Sequence, residues 1–308
     1  MREQVQSART DLALEVRETF GEDDVEIRGV VLERDKGKGK GVEISRVIIQ
    51  DEPGARAMGK PIGTYITIEA PGLKESDESF QESISTELAK QLKKLCGNLR
   101  EKQVLVAGLG NRAATPDALG PLVVDNLFVT RHLIREFGPE FRRKHRLADV
   151  SAAAIGVMGQ TGMESGEILK GIISQTKPDL VIVIDALAAR SVERLNTTIQ
   201  ITDTGICPGS GIGNNRQALN KESLGTQVIA IGVPTVVDAA TIVGDSLERF
   251  LKMQGFSAEE TQHFLAEVYR KNQEESIANL FVTPGNIDEA MKQISYTISE
   301  ALNDCFAG

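Results

Sequence analysis

Tryptophan is absent from the 308 residues, and Phe and Tyr supply the whole of a 4% aromatic content. A chain so poor in rings has no row of stacking platforms for unpaired bases, and its core must be built from Val, Ile, Leu and Ala. Positive charge is also in deficit: 35 Lys and Arg stand against 44 Asp and Glu, a formal net charge of −9. Such a surface repels phosphate backbones, which argues against direct nucleic-acid binding. The three cysteines, Cys96, Cys207 and Cys305, are far apart and lack Cys-x-x-Cys spacing. They offer neither a disulfide framework nor a zinc site, and they fit a reducing cytoplasm. Cys207, with no base near it in sequence, reads as a small buried apolar residue. The stretch after Met1 is polar and lacks a signal peptide's apolar core. No segment approaches the ~18 consecutive apolar residues of a spanning helix. These absences describe a soluble intracellular protein with no membrane partner.

What is present is ordinary for a globular protein, with 41% hydrophobic and 26% charged residues, and the length is enough to bury a core without staples. Val25–Leu32, Val42–Ile49 and Thr64–Ile68 are rich in β-branched residues, and Lys36–Gly41 between the first two is a turn signal. They predict a small antiparallel β region within 22–72. Ile84, Leu88, Leu92 and Leu95 mark one helical stripe that ends at Gly97-Asn98.

From residue 103 strands and helices alternate. Strands are predicted over Val104–Ala107, Ala148–Ile155, Asp179–Asp185, Thr197–Thr202 and Val228–Ile231, with a short one over Leu280–Val282. Helices are predicted over Asp117–Arg135, Met163–Thr176, about Val236–Lys252, Ser257–Lys271 and Ile287–Leu302. The five consecutive aliphatics of Leu180–Ile184 need cover on both faces, as a central parallel strand has. The predicted class is α/β, a three-layer α/β/α sandwich with a mainly parallel central sheet.

Two aspartates occupy equivalent places in this pattern. Asp117 follows the loop after strand 104–107, and Asp185 ends strand 179–184, so neighbouring strands would bring both to one sheet edge. Two close carboxylates cannot both ionise cheaply. The ionised one could take a proton from water while the protonated one donates to a substrate carbonyl. Asp117 could equally be a helix cap, whereas an unpaired carboxylate ending a buried strand is costly without a function.

Other motifs are weaker. Gly108-Leu-Gly110 follows a strand, but Ala113 replaces the third glycine of a dinucleotide turn and no Walker lysine follows. Pro208–Asn214 is a glycine-rich loop suited to line a site or, less readily, to wrap an anion. His132, His145 and His263 are dispersed, and no nucleophile elbow or H-E-x-x-H helix is present.

The ordered segments Val106-Ala-Gly-Leu-Gly-Asn111, Thr115-Pro-Asp-Ala-Leu-Gly-Pro121, Val129-Thr-Arg-His-Leu133, Ile184-Asp-Ala-Leu-Ala-Ala-Arg190, Asp203-Thr-Gly205, Pro208-Gly-Ser-Gly211 and Ile231-Gly-Val-Pro-Thr-Val-Val-Asp-Ala239 resemble the germination proteases of spore-forming bacteria. The resemblance implies catalytic aspartates at Asp117 and Asp185. It implies a fold similar to hydrogenase-maturation endopeptidases, whose metal-site histidine has no counterpart here, so neither metal nor other cofactor is expected. It also implies a homotetramer of the spore core that degrades small acid-soluble spore proteins, and a zymogen that trims itself.

The family cuts after an acidic residue that precedes a hydrophobic residue and alanine. Thr10-Asp-Leu-Ala-Leu-Glu15 fits this pattern, which predicts a cut between Asp11 and Leu12. Residues 1–11 would then be a propeptide and 12–308 a single catalytic domain, and a chain beginning at Met1 is expected to be the unprocessed form. After Lys252 the chain is shorter than the family pattern. Arg190 and Arg194, just beyond Asp185, could receive acidic residues of a substrate. Two other readings are a metal-dependent maturation-type endopeptidase and a nucleotide-binding α/β module with Gly108–Thr115 and Pro208–Asn214 as phosphate loops.

Overall fold

The β-branched segments assemble into one sheet rather than two. A computed structural model describes residues 10–307 except 22, 24, 76, 213–215, 258–259, 262 and 266–279. Most of the expected propeptide, the tip of the glycine-rich loop and much of the helix predicted over Ser257–Lys271 lie outside the described residues.

Among these residues nine strands form a sheet in the order β1-β2-β3-β7-β8-β6-β4-β5, with β9 against β8. β4 (Gln103–Leu109), β5 (Asp149–Ile155), β6 (Leu180–Ala189) and β8 (Gln227–Asp238) are parallel. β7 (Thr198–Thr202) runs antiparallel to β8 and joins β3 (Gly63–Glu69) to the parallel half. β2 (Glu43–Ile49) and β1 (Val30–Lys36) continue it as antiparallel neighbours. β9 is the two-residue Phe281–Val282. The antiparallel region read from 22–72 is therefore an extension of the main sheet.

Helices cover both faces. On one, α3 (Glu78–Cys96), α4 (Leu119–Asp125) and α10 (Ile287–Phe306) bury Ile84, Leu88, Leu92, Leu119, Val123, Ile294 and Ile298 against the sheet. On the other, α7 (Ser165–Thr176) and α8 (Lys221–Leu224) contribute Leu169 and Leu224. Short α1 (Ala13–Glu18) and α2 (Glu52–Met58) cover the antiparallel end through Ala13, Leu14 and Met58. At roughly 25 cal/mol per Å² of apolar surface, these two packed faces are the main stabilising term. The remaining helices are α5 (Arg131–His145), α6 (Met158–Thr161) and α9 (Ala239–Met253). The three-layer α/β/α class is the one observed.

Local departures have identifiable causes. The helix expected over Asp117–Arg135 is broken, because Thr130 bonds β5: its amide donates to Val150 O at 3.0 Å, and its hydroxyl accepts from Val150 N at 2.9 Å. α5 then runs on to His145, kinked where Gly138 takes φ 80 ahead of Pro139. α2, too short to show a period, is set by its cap: Asp51 accepts from Gly54 N at 2.9 Å, and Pro53 sits in the first turn. Cys207 is exposed, against the buried role read from its sequence setting. It stands in the loop after β7, outside every apolar layer.

The order β8-β6-β4-β5 puts a switch point between β4 and β6, since the chain leaves β4 toward β5 and leaves β6 toward β7 and β8, in opposite directions. A crevice opens there beyond the strands' carboxyl ends.

Candidate active site

β4 ends at Leu109, and Gly110 turns the chain with φ 112. A Cβ on Gly110 would stand 2.0 Å from the backbone oxygen of Asp117, so glycine is what lets the loop close. Thr115–Asp117 form a single 3₁₀ turn. It is pinned to β8, for Thr235 Oγ1 donates to Pro116 O at 2.7 Å.

Asp117 does not cap the helix that follows. α4 starts at Leu119 without a side-chain cap, and Asp117 Oδ2 instead accepts the Asn111 amide at 2.7 Å. Gly108 serves packing, as a Cβ there would lie 2.2 Å from Gly120 O. The Asn111 amide that a phosphate on Gly108–Thr115 would use is thus already given to a carboxylate, which counts against that loop as a phosphate site.

Asp185 lies within β6, not at its end. Pairing of β6 with β4 stops at Ile184, while pairing with β8 continues to Ala189. Asp185 is therefore the first residue past the β4 edge. It is only 6% exposed, and its Oδ1 accepts the Ala186 amide at 3.0 Å.

A cavity of about 310 Å³ opens over both aspartates and is also lined by Asp11, Pro208, Gly209 and Arg216. Burial pushes the Asp185 carboxyl well above the usual range. The negative charges of Asp117 and then Asp11 push it further, against its Ala186 hydrogen bond and Arg216. Burial also raises Asp117, opposed by the Asn111 hydrogen bond and Arg216. Asp185, raised in part by the charge of Asp117, lines the same cavity as it, so the two carboxyls resist joint ionisation and their titration is coupled.

The N-terminal segment enters this cavity. Asp11 N donates to Ala188 O at 3.0 Å, and the Asp11 carboxylate accepts from Ala188 N at 2.9 Å and from Ser210 Oγ at 2.6 Å. Gly211 is open for that carboxylate, since a Cβ there would lie 2.3 Å from Asp11 Oδ2. Leu12 is fully buried with Leu187, Ala189, Leu195 and Val237. Ala13 is fully buried beneath β2 and β3. Asp11 also borders a second cavity of about 760 Å³ that takes in Lys60, Arg190, Gln200 and Cys207.

The two arginines separate. Arg194 is 12% exposed, bonds Glu18 through both terminal nitrogens at 2.7 Å, and reaches Glu69 at 2.8 Å and Glu15 at 3.5 Å. Arg190 is half-exposed, 3.7 Å from Asp245. Sequence reading passed over Lys60, Gln200 and Arg216, and took in Ser210 only as part of the Pro208–Asn214 loop. Gln200 carried a signal, being a lone amide among the aliphatic and threonine residues of a buried strand, where it needs partners. Lys60, in a turn, carried none.

Among the described residues no three His, Cys, Asp or Glu side chains are grouped to hold a metal ion. The described lining of the cavity offers the carboxylates Asp11, Asp117 and Asp185 and no histidine, so its donors do not fit the acid-and-histidine metal set of a maturation-type endopeptidase.

Known proteins place the chain. The family model described as germination protease matches residues 7–272. A germination protease of Caldanaerobacter subterraneus is 49% identical over 306 residues, covering 96% of this chain and 93% of its own. That of Bacillus subtilis is 50% identical over 255 residues, covering 80% and 68%, and one from Clostridium perfringens is 42% identical over 309, covering 96% and 94%. A [NiFe] hydrogenase maturation protease from Thermococcus kodakarensis aligns with 70% of this chain and 97% of its own, at TM-score 0.35 and 19% identity. Among the described residues no helix is long and apolar enough to cross a membrane. By the family match and these close relatives, the chain is a protease and belongs to the germination protease family.

Proposed function

We propose that Asp117 and Asp185 are the acid–base pair of this protease, and that the first bond they cut is the chain's own Asp11–Leu12 bond. The observation carrying this reading is that Asp11 sits in the cavity of both aspartates with its carboxylate bonded and its next two residues buried. The ionised member of the pair takes a proton from a water molecule, and the protonated member supplies the proton that the products require. Residues 1–11 act as the propeptide of a zymogen.

The substrates in trans are small acid-soluble spore proteins, cut after an acidic residue before a hydrophobic residue and alanine. The acidic preference follows from Ser210 Oγ, the Ala188 amide and the space left by Gly211. Arg190 is the arginine open to acidic residues of such a substrate. Arg194 receives acids too, but the chain's own, Glu15 and Glu18 of α1 and Glu69 of β3, so a substrate reaches it only by displacing them. The active species is a homotetramer in the spore core.

Mass spectrometry of the self-incubated chain should find a new N-terminus at Leu12. A different first cut overturns the assignment. Gly211→Val is expected to slow that cut about 100-fold, the range for losing a positioned reacting group. A Gly211→Val chain that trims at the wild-type rate removes Gly211 from the acidic pocket.

A further inference from the structure

Gln200 lies in the middle of β7, a strand buried along its whole length. Both ends of its amide are spent on the N-terminal segment. Nε2 donates to Asp11 O at 3.2 Å, and Oε1 accepts the Ala13 amide at 2.8 Å. The same Asp11 oxygen accepts from Lys60 Nζ at 3.0 Å. Lys60 belongs to the turn between α2 and β3. Burial draws its pKa down, against Asp11, Cys207 and Glu15, which raise it. One peptide oxygen thus has two side-chain donors from separate elements, although Asp11 is already held by the backbone of Ala188.

The sheet register places these donors relative to the aspartates. Gln200 pairs with Gly232, and Gly232 with Asp185, so the three stand in one row across β7, β8 and β6. Residues directly paired in a sheet share a face, and two interstrand spacings amount to about 10 Å. Gln200 and Asp185 therefore stand at opposite ends of one row, and Asp11 is bonded to the first and lines the cavity of the second. Leu187, in contact range over Gly232, shares an apolar cluster with Leu12 between them.

Resting on the reading of Asp11–Leu12 as the bond cut, we propose that Lys60 and Gln200 form the oxyanion-binding pair of this protease, donating to the carbonyl oxygen of the residue before the cut. A water proton passes to the ionised carboxylate as the water oxygen bonds to the Asp11 carbonyl carbon. The C=O electron pair moves onto the oxygen, where the two donors meet the growing charge. When that pair returns, the C–N bond breaks and the protonated carboxylate gives its proton to the Leu12 nitrogen. The products are a carboxylic acid and an amine, and the aspartates have exchanged which one holds the proton. Because the carbonyl oxygen already has donors, the dyad's proton is free for the leaving amine.

The test compares full-length Lys60→Met and Gln200→Met chains with wild type on an Asp-Leu-Ala peptide in trans. Each should lose roughly 100- to 1,000-fold in kcat, the range for removing one oxyanion donor. KM should stay within about threefold and the pH profile should keep its position, since the dyad is untouched. A loss confined to KM, or wild-type kcat in both, overturns the proposal. A second readout needs no turnover. In the uncut Asp185→Asn chain the 13C carbonyl resonance of Asp11 should move upfield when Lys60→Met is added, as polarisation is lost. An unmoved resonance in a chain with an unchanged urea midpoint overturns it as well. The underlying reading fails separately: Asp185→Asn that still trims itself sinks the dyad, whereas inactive Asp185→Asn with active Lys60→Met sinks only the oxyanion pair.

Discussion

Asp185→Asn is expected to leave the full-length chain uncut and to lower kcat on a peptide in trans by at least ~1,000-fold, the order seen when a member of a catalytic unit is removed. The amide keeps the shape of the carboxyl but can neither hold nor return the shared proton. Asp117→Asn should do the same, and the double variant should be little worse than either single one, because the two act as a unit. Normal self-trimming in purified Asp185→Asn rules the dyad out.

The same variant should be more stable at neutral pH. The folded Asp185 carboxyl is held well above its usual value by burial and by Asp117 and Asp11, so the folded chain binds protons more tightly than the unfolded one. A group of this sign contributes stability that is full below its unfolded pKa and lost as pH rises through the folded one. Removing it should therefore raise stability at pH 7 by on the order of 2 kcal/mol, the penalty scale for a buried group short of partners. The gain should vanish near pH 4, and urea midpoints across that range measure it. Activity should follow a bell, falling at high pH when both aspartates ionise and at low pH when both are protonated.

Arg194→Met should destabilise the folded chain by about 3 kcal/mol, because breaking a mostly buried ion pair strands its partners. Glu15 is 3% exposed and Arg194 is its ion-pair partner, with Glu18 and Glu69 on the same guanidinium. Glu15 also accepts the amides of Arg190 and Ser191 at 2.7 and 2.9 Å, which ties α1 to the segment after β6. For a chain of this size the melting temperature should fall by roughly 5 °C. Calorimetry with Arg190→Met as the control measures it, since among the described residues half-exposed Arg190 has Asp245 as its ion-pair partner, at 3.7 Å, and pairs of that kind contribute ~1 kcal/mol or less. Equal melting points for the two variants would show that the Arg194 cluster is screened rather than buried.

Much of this protein was legible before folding. Period-two and aliphatic runs located most of the strands because a sheet with both faces covered demands them, and the stripe of α3 was fixed by the 3.6-residue turn. Asp117 and Asp185 stood out through their places after two buried strands. Elements set by local competition were less legible. Thr130 leaves the helical path for β5, and α2 is too short for any period and rests on the cap at Asp51.

What the linear order could not contain is which distant residues meet. Asp11, Lys60 and Gln200 are separated by up to 189 positions, and the pairing of β3, β7, β8 and β6 brings Lys60 and Gln200 onto the Asp11 carbonyl. Sequence by itself located most of the strands, the longer helices and the two aspartates, since those follow from periodicity and from the cost of burying charge. The fate of Asp117's carboxylate, the seating of Asp11–Leu12 and the two donors on its carbonyl were decided by the tertiary structure, because hydrogen bonds between remote segments exist only once sheet register has fixed their distances.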